Sequence, residues 1–350
     1  MKRIYIAIGI LAAIVALFFI LRQNPNRTGN TDPSVLRLKN PKAVTKILLT
    51  PNNKKLSYII LYKDSKNENR WMVKNEHSVE FADTHSIREL LFWVMSRIEV
   101  KNPVSDGENE NVTRDLKLNG IKAVFYSGEE ELHTVYAGNP TPSQEATYMY
   151  HTSMERPVVA GIGGFKGYLT PYFTIDFDAW RSPVLIDLPA EKIKSVKVEW
   201  PQSPKEGFEI VKKEGVSSLF TLQGQPVSGV PDARLMSYLE RFQNLSREYG
   251  ETAGINRKPA LRDSIINAGY FFKIEITSSD GNKKAIRLYK MAVSSETYTP
   301  VLPDGSPRRE ESETFWVQID NKKELWVIQS SIIKSRMKTM SELTMQAKKA

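Results

Sequence analysis

The feature that most constrains the fold is an internal repeat. When the chain is shifted by 149 residues, the segment 44–125 aligns with the segment 193–274 without a gap. The aligned residues keep their character: Ile47 and Leu49 meet Val196 and Val198, Trp71 and Val73 meet Phe220 and Leu222, Asp83 meets Asp232, Leu90 meets Leu239, and Gly120 meets Gly269. The shared order of strand, strand, helix, glycine and strand predicts two copies of one structural unit.

Beyond this region the offset increases to about 168. There 147–150 aligns with 314–317, and Val158 and Val159 align with Trp326 and Val327. The increase reflects an insertion at 293–311, which is rich in Pro, Ser, Asp and Arg. A chain of 350 residues also has room for about two domains. We therefore predict a first repeat over 37–185 and a second over 190–335, with a boundary near 183–192 between Pro183 and Pro189.

Within each copy, short β-branched and aromatic runs separated by turn signals predict an α+β fold. A helix is predicted over 84–99, because its apolar residues share one face and Asp83 is a suitable N-cap. Hairpin-length turns favour an antiparallel sheet that is packed on one face by this helix. Strands are predicted at 44–50, 57–63, 70–73, 121–126 and 132–137.

The N-terminus begins with an uninterrupted apolar run. Lys2 and Arg3 precede eighteen uncharged residues, from Ile4 to Leu21. Eighteen helical residues rise about 27 Å, which matches a bilayer core and exceeds the apolar part of a cleavable signal peptide. The sequence therefore predicts a cytoplasmic stub at 1–3 and an uncleaved transmembrane signal anchor at 4–21. A buried core helix is the alternative interpretation.

The charges around the anchor weakly favour a cytoplasmic N-terminus. The C-terminal bulk would then be extracytoplasmic, on the periplasmic side of the cytoplasmic (inner) membrane. Residues 22–36 are predicted to be a flexible tether, and 336–350 a basic polar tail. The chain has no cysteine, so a lipidated cysteine cannot attach it to the membrane.

The sequence lacks a recognisable catalytic or metal-binding pattern. Its histidines, His77, His85, His133 and His151, are never three or four residues apart, so they form no helical zinc pair. Ser331-Ile332-Ile333-Lys334 has the Ser-x-x-Lys spacing, but the accompanying Ser-Asp-Asn and Lys-Thr-Gly motifs are absent. We expect that the chain is not an enzyme and that it binds no cofactor or metal. The enzymatic alternative is an unrecognised envelope hydrolase.

Two carboxylates form another candidate. Asp176 and Asp178 stand two residues apart, a spacing that on a strand would place both on one face for acid–base work or calcium binding. Arg181 follows closely and favours the simpler interpretation, a structural ion pair.

A glycine-rich stretch is the candidate interaction loop. Gly161, Gly163, Gly164, Lys166 and Gly167 resemble a phosphate loop in glycine density alone, because no Lys-Ser/Thr pair follows. The corresponding segment of the second copy lacks these glycines. The stretch is therefore either a binding feature of one copy or a plain connection or helix cap.

The net charge of the chain indicates which classes of molecule it can bind. It carries 49 Lys and Arg against 40 Asp and Glu, a net charge of +9 at pH 7. These basic residues lie in short clusters at predicted turns, not in a stripe with interleaved aromatics, so we expect no nucleic acid partner. Anionic lipid headgroups or envelope polymers fit the charge better.

The segment 178–193 resembles the hallmark of a bacterial family known as domain of unknown function 4340, in which an arginine closes one unit and a Pro-Ala-Glu-like turn opens the next. The runs 71–73, 81–83 and 116–121 are also similar to that family, although the tyrosine of its Tyr-Gly-Leu is missing here. The resemblance covers roughly residues 40–330 and implies no catalytic residue. It implies one anchoring helix and, for some members, a setting like that of accessory components of gliding-associated ABC-type transport systems.

These observations predict a single-pass, membrane-anchored extracytoplasmic protein that acts as a binding or scaffold component of an envelope or transport assembly. Its expected partners are the lipid bilayer, through residues 4–21, and proteins of the envelope. The loop at 161–167 and the insertion at 293–311 are the expected contact segments. The alternative is a binder of anionic cell-envelope glycan or polymer.

Overall fold

The computed structural model describes residues 32–52, 57–248, 253–292 and 310–345. The predicted anchor, from Ile4 to Leu21, lies outside the described residues, as does nearly all of the predicted insertion. Within the described part of the chain, no helix has the length and apolarity needed to span a membrane. The fold is mixed α+β with antiparallel sheets, as predicted, and it divides into two units, Met1–Ser182 and Pro183–Ala350.

The first unit is built on a nine-stranded sheet in the order β4-β3-β2-β1-β6-β7-β8-β9-β5, in which neighbouring strands are antiparallel. All five strands predicted in this half are confirmed, as β1, β2, β3, β6 and β7. The strands are β1 (Lys46–Pro51), β2 (Ile59–Asp64), β3 (Asn67–Lys74), β4 (Val79–Phe81), β5 (Ile98–Pro103), β6 (Ile121–Ser127), β7 (Glu130–Pro140), β8 (Thr147–Tyr150) and β9 (Val158–Ile162).

The predicted helix over 84–99 is correct at its start and too long at its end. It begins as α1 (Thr84–Arg88) and continues as a π-helix, Glu89–Val94. The carboxylate of Asp83 caps it, accepting hydrogen bonds from the backbone N–H groups of His85 and Ser86. Ile98, which we placed on the helix, begins β5 and lies opposite Ile162 of β9. Pairing with a distant strand therefore overrides a locally helical spacing.

Helices cover both faces of this sheet, whereas the sequence predicts a helix on one face only. Ile87 and Leu90 of the first helix join the main core, which also contains Ile47. On the opposite face, α2 (Asp106–Asn119) buries Val112 and Leu116 against tyrosines of β7 and β8. A short helix, α3 (Phe177–Trp180), ends the unit.

The second unit contains an eight-stranded antiparallel sheet in the order β14-β13-β12-β11-β16-β17-β18-β19 and a two-stranded sheet, β10-β15. The strands are β10 (Val184–Ile186), β11 (Ile193–Glu199), β12 (Phe208–Lys213), β13 (Val216–Thr221), β14 (Pro226–Val227), β15 (Leu245–Ser246), β16 (Phe272–Ser278), β17 (Lys283–Ala292), β18 (Glu310–Ile319) and β19 (Trp326–Gln329).

Helices again lie on both faces of the larger sheet. Leu235 and Leu239 of α4 (Asp232–Leu239) join the main core of this unit. On the other face, Ile255 of α5 (Ala253–Asn256) and two isoleucines of α6 (Pro259–Asn267) pack with Tyr289 and Leu325. The helices are α4 (Asp232–Leu239), α5 (Ala253–Asn256), α6 (Pro259–Asn267), α7 (Ser330–Ile333) and α8 (Met340–Thr344).

The two large sheets share one strand order. Reading β4 to β9 in the first sheet corresponds to reading β14 to β19 in the second, and β5 is an additional edge strand. The offset of 168 holds in the register: Met149 lies opposite Val158, and Val317 lies opposite Trp326. The first unit thus resembles the second strand by strand.

The offset of 149 fails at β3. Val73 lies opposite Leu61, whereas its counterpart opposite Ile210 is Leu219, so the alignment of Trp71 and Val73 with Phe220 and Leu222 is wrong by three residues. The cause is an irregularity within β3, because two residues connect the strands in both hairpins. Lys63 pairs with Trp71 whereas the next residue, Asp64, pairs with Asn67, so three extra residues of β3 lie between these pairs, and β12 and β13 have no such shift.

The unit boundaries also differ from those predicted. Val184 pairs with Ser246, so residues 183–185, which we gave to the first repeat, belong to the second unit. Leu36, the last residue of the predicted tether, is fully buried in the core of the first unit. The described part of the predicted tail is also folded, because α8 places Leu343 in the core of the second unit.

Candidate functional site

The glycine-rich stretch is a strand end followed by a tight turn. Gly161 lies in β9, and the N–H of Phe165 donates to the carbonyl of Ile162 across 3.1 Å. Gly164, the third residue of this turn, has φ +78°, which glycine adopts without strain. The stretch is therefore not a helix cap, and its backbone direction is fixed by the turn.

Two other glycines make room for side chains. A Cβ atom at Gly167 would lie 2.7 Å from the ring of Phe165, and one at Gly161 would overlap the side chain of Lys101. Gly163 and Lys166 are exposed. The glycines of this stretch thus serve local packing, and Lys166 stands out from the turn.

The turn delivers Phe165 into a cluster of aromatic rings. Phe165 meets Trp93 edge-on, with ring centroids 5.0 Å apart and an interplanar angle of 86°. Trp93 also contacts Tyr172, at 5.5 Å between centroids. Burial, with a smaller contribution from nearby Glu89, raises the pKa of the Tyr172 phenol. We call Phe92, Trp93, Phe165, Lys166 and Tyr172 the aromatic surface.

The π-helix positions this cluster. The N–H of Met95 donates to the carbonyl of Leu90, five residues earlier, so the last turn is wider than an α-turn. Trp93 packs against the core of the first unit, whereas the neighbouring Phe92 keeps 43% of its surface exposed. A large apolar ring is thus exposed to solvent on a helical turn whose next residue, Trp93, packs against the core.

The carboxylate pair is structural. Asp176 does not lie on a strand; it caps α3 by accepting from the N–H of Asp178 at 3.0 Å. The guanidinium of Arg181 lies 3.0 Å from the carboxylate of Asp178 and 3.7 Å from that of Glu80. The predicted ion pair is confirmed, and it ties the end of the first unit to β4.

His133 and His151 lie together at the wall of a pocket of about 480 Å³. The Nε2 of His133 lies 3.0 Å from the carbonyl of Leu36, so this nitrogen carries the proton. The Nδ1 of His151 accepts from the backbone N–H of Ser153. Burial lowers the pKa of both histidines. A pKa below 6.5 favours the neutral form of both rings at pH 7. The described residues contain no group of three side chains that could hold a metal.

The remaining sequence candidates stay apart. His77 is exposed on the turn before β4, and His85 lies 3.6 Å from Glu89 on the first helix. The hydroxyl of Ser331 donates to Gln329, not to Lys334. The Ser-x-x-Lys spacing therefore falls on a helix without the contacts that an acyl-transfer site needs.

A groove that sequence reasoning missed lies between α2 and the sheet of the first unit. It encloses about 380 Å³. Tyr136 and Tyr150 form its aromatic wall, with ring centroids 5.8 Å apart. We call it the tyrosine groove, lined mainly by Thr113, Leu116, Lys117, Tyr136, Tyr150 and Glu155. The alternation of β7 could have revealed it, because Tyr136 lies between two core residues and must face the other side.

The second unit has a groove of about 530 Å³ beside the hairpin between β16 and β17. Lys192 and Lys283 stand at its edge, and the ammonium of Lys284 donates to the carbonyl of Leu185 at 2.8 Å. Hydrogen bonds from Ser278 and Asn282 lower the pKa of Asp280. The polar groups here mainly hold the hairpin in shape.

Comparisons with known proteins give no match: the chain matches no family model, no curated protein and no solved structure.

Proposed function

We propose that this chain is a membrane-anchored binding and scaffold protein of the cell envelope, whose first unit docks a protein partner through the aromatic surface. The observation that carries the proposal is the placement of Phe92. Its ring is 43% exposed, while the adjacent Trp93 is fixed by Phe165 and Tyr172. A ring that is exposed on an immobilised turn suits an interface anchor, because little conformational entropy is lost on binding.

The composition of this surface supports a protein partner. Aromatic residues are enriched at the centres of protein interfaces, where they fill pockets of the partner. Lys166 adds one cationic group at the turn, and Glu89 adds an anionic one on the helix. The partner that fits is a protein with an apolar pocket and a carboxylate near its rim.

The N-terminal run supports a membrane location. We propose that residues 4–21 span the cytoplasmic membrane once and that both units are periplasmic. The resemblance of 178–193 to an anchored bacterial family supports the same setting and an accessory role in an ABC-type transport assembly. The common strand order of the two sheets supports duplication of one ancestral unit.

The test uses the full chain in its own cells with a photo-crosslinking amino acid at Phe92 or at Lys166. Val216, which is 57% exposed in the second unit, is the matched control position. We expect the same protein to be captured from both test positions and not from the control. The paired variant Phe92→Ser with Lys166→Glu should abolish co-purification of that protein.

The proposal is wrong if the captured proteins differ between the two test positions, or if they are also captured from the control. It is equally wrong if the paired variant retains its partner while its circular dichroism spectrum shows that it is folded. These outcomes depend only on the aromatic surface.

A further inference from the structure

The tyrosine groove has an aromatic wall formed by strand register. Tyr136 of β7 lies directly opposite Tyr150 of β8, and both rings point to the face that α2 covers. Leu116 of α2 packs beside them, and the space left between helix and sheet is about 380 Å³. This volume lies in the range of small-molecule sites.

Polar groups around this wall are not used by the fold. Thr113 and Lys117 stand one helical turn apart on α2, and Glu155 lies across the groove. In the described part of the chain, the side chains of these three residues, like the hydroxyls of Tyr136 and Tyr150, form no hydrogen bond or ion pair. Hydroxyl, ammonium and carboxylate groups therefore surround two aromatic rings and remain available to a ligand.

The second unit shows that the fold does not require this arrangement. Arg287 and Gln318 occupy the strand positions that Tyr136 and Tyr150 occupy in the first unit. The two tyrosines are paired next to the core pair Ala137 and Met149, and Arg287 and Gln318 are paired next to the equivalent core pair, Leu288 and Val317. Arg287 donates to the carbonyl of Asp320. The amide of Gln318 accepts from the hydroxyl of Tyr289 at 2.7 Å and donates to a backbone carbonyl at 2.9 Å. There the same positions are spent on internal contacts.

We infer that the tyrosine groove binds a neutral saccharide. A sugar ring presents apolar C–H faces that pack on aromatic rings, and its hydroxyls both donate and accept hydrogen bonds. The groove offers both: two phenol rings, donors at Lys117 and Thr113, and an acceptor at Glu155. One cation and one anion at the rim balance each other, which favours an uncharged ligand over a phosphate or a polyanion. This inference goes beyond the scaffold function and does not depend on it.

The experiment is a titration of the full chain in detergent with tri-N-acetylglucosamine and with maltotriose, followed by isothermal titration calorimetry. Adenosine monophosphate is the probe for a nucleotide ligand. We expect saturable binding of a trisaccharide and none of the nucleotide. Tyr150→Leu should raise the Kd about tenfold, because it removes one stacking ring. Leu118→Ala, on the exposed side of the same helix, should leave the Kd unchanged.

A second variant guards against misfolding. The double variant Tyr136→Phe with Lys117→Met keeps the ring and the aliphatic stem and removes only polar groups, and it should weaken binding severalfold. The inference is overturned if neither trisaccharide binds at millimolar concentration, if the nucleotide binds instead, or if both groove variants bind like the unmodified chain. None of these results bears on the aromatic surface, so they leave the scaffold proposal to its own test.

Discussion

The rings of His133 and His151 stack, with centroids 5.2 Å apart and an angle of 23° between their planes. His133 also donates to the carbonyl of Leu36, and thereby fastens the start of the first unit to β7. Burial is the main reason that the pKa of His133 lies below its usual 6.5; His151 and Lys39 lower it further, while the Leu36 hydrogen bond and Glu131 oppose the change. Stacked neutral rings therefore form part of the folded structure.

The stability of the first unit should depend on pH through His133. Because the pKa of His133 is lower in the folded chain than the value of 6.5 for an unperturbed side chain, the unfolded chain binds more protons as the pH falls below 6.5. The free energy of unfolding should therefore decrease there, by at most about 1.4 kcal/mol per pH unit for one histidine. Denaturant unfolding of His133→Gln between about pH 5 and pH 8 should show a flatter slope. An unchanged slope, equal to that of the exposed-site control His77→Gln, would contradict this prediction.

The aligned aspartates Asp83 and Asp232 accept from different partners, and each contact makes its own prediction. Asp83, which is almost fully buried, caps α1 through two backbone N–H groups, so Asp83→Ala should lower the free energy of unfolding by about 1 to 2 kcal/mol. Asp232 begins α4 but accepts from the N–H of Ser217 on β13. Asp232→Asn, which retains an acceptor, should cost less than about 1 kcal/mol. Chemical denaturation measures both, and the conservative Asp83→Asn should recover most of the loss.

Two glycines with open surroundings should give opposite signs. A Cβ atom at Gly164 or at Gly107 would meet no atom within 4 Å. Gly164→Ala should nevertheless destabilise the chain by about 1 kcal/mol, because its φ of +78° strains any residue with a Cβ. Gly107→Ala, in the first turn of α2, should stabilise by about 0.5 kcal/mol through helix propensity. Melting curves that move in the same direction would refute the backbone argument.

The C-terminal segment should contribute to stability. Leu343 is 5% exposed in the core of the second unit, and Arg234 and Tyr238 donate to carbonyls of this segment. Leu343→Ala should therefore cost about 2 to 3 kcal/mol of unfolding free energy. Met345, which is 69% exposed, is the control, and Met345→Ala should change stability by less than about 0.5 kcal/mol. Equal, negligible effects would support a mere tail.

The predicted anchor can be tested by fractionation. The unmodified chain should stay in the membrane pellet after alkaline carbonate extraction, and the chain that lacks residues 4–21 should not. No lipidated cysteine can replace the apolar span. Deleting residues 22–31, in the predicted tether, should leave the chain in the membrane pellet. If both deletions partition alike, residues 4–21 are not the anchor.

Five strands of the first unit, and most of the correspondence between the two units, could be predicted from the sequence alone. Alternation and β-branched runs are read over five to seven residues, so strands such as Lys46–Pro51 are visible locally. The alignment of 147–150 with 314–317 holds in the register because both strands bury the same alternate positions, at Met149 and Val317.

The remaining features depend on contacts between segments that are distant in the sequence. The spacing of Leu90, Val94 and Ile98 is helical, yet Ile98 becomes a strand residue because β9, more than fifty residues away, offers its hydrogen bonds. The tyrosine groove has the same origin, since Tyr136 and Tyr150 meet only through the register of β7 with β8. Local patterns record which face of an element is buried. Which residues share a face across strands depends on pairing between distant segments, and a single sequence does not encode that pairing in any local signal.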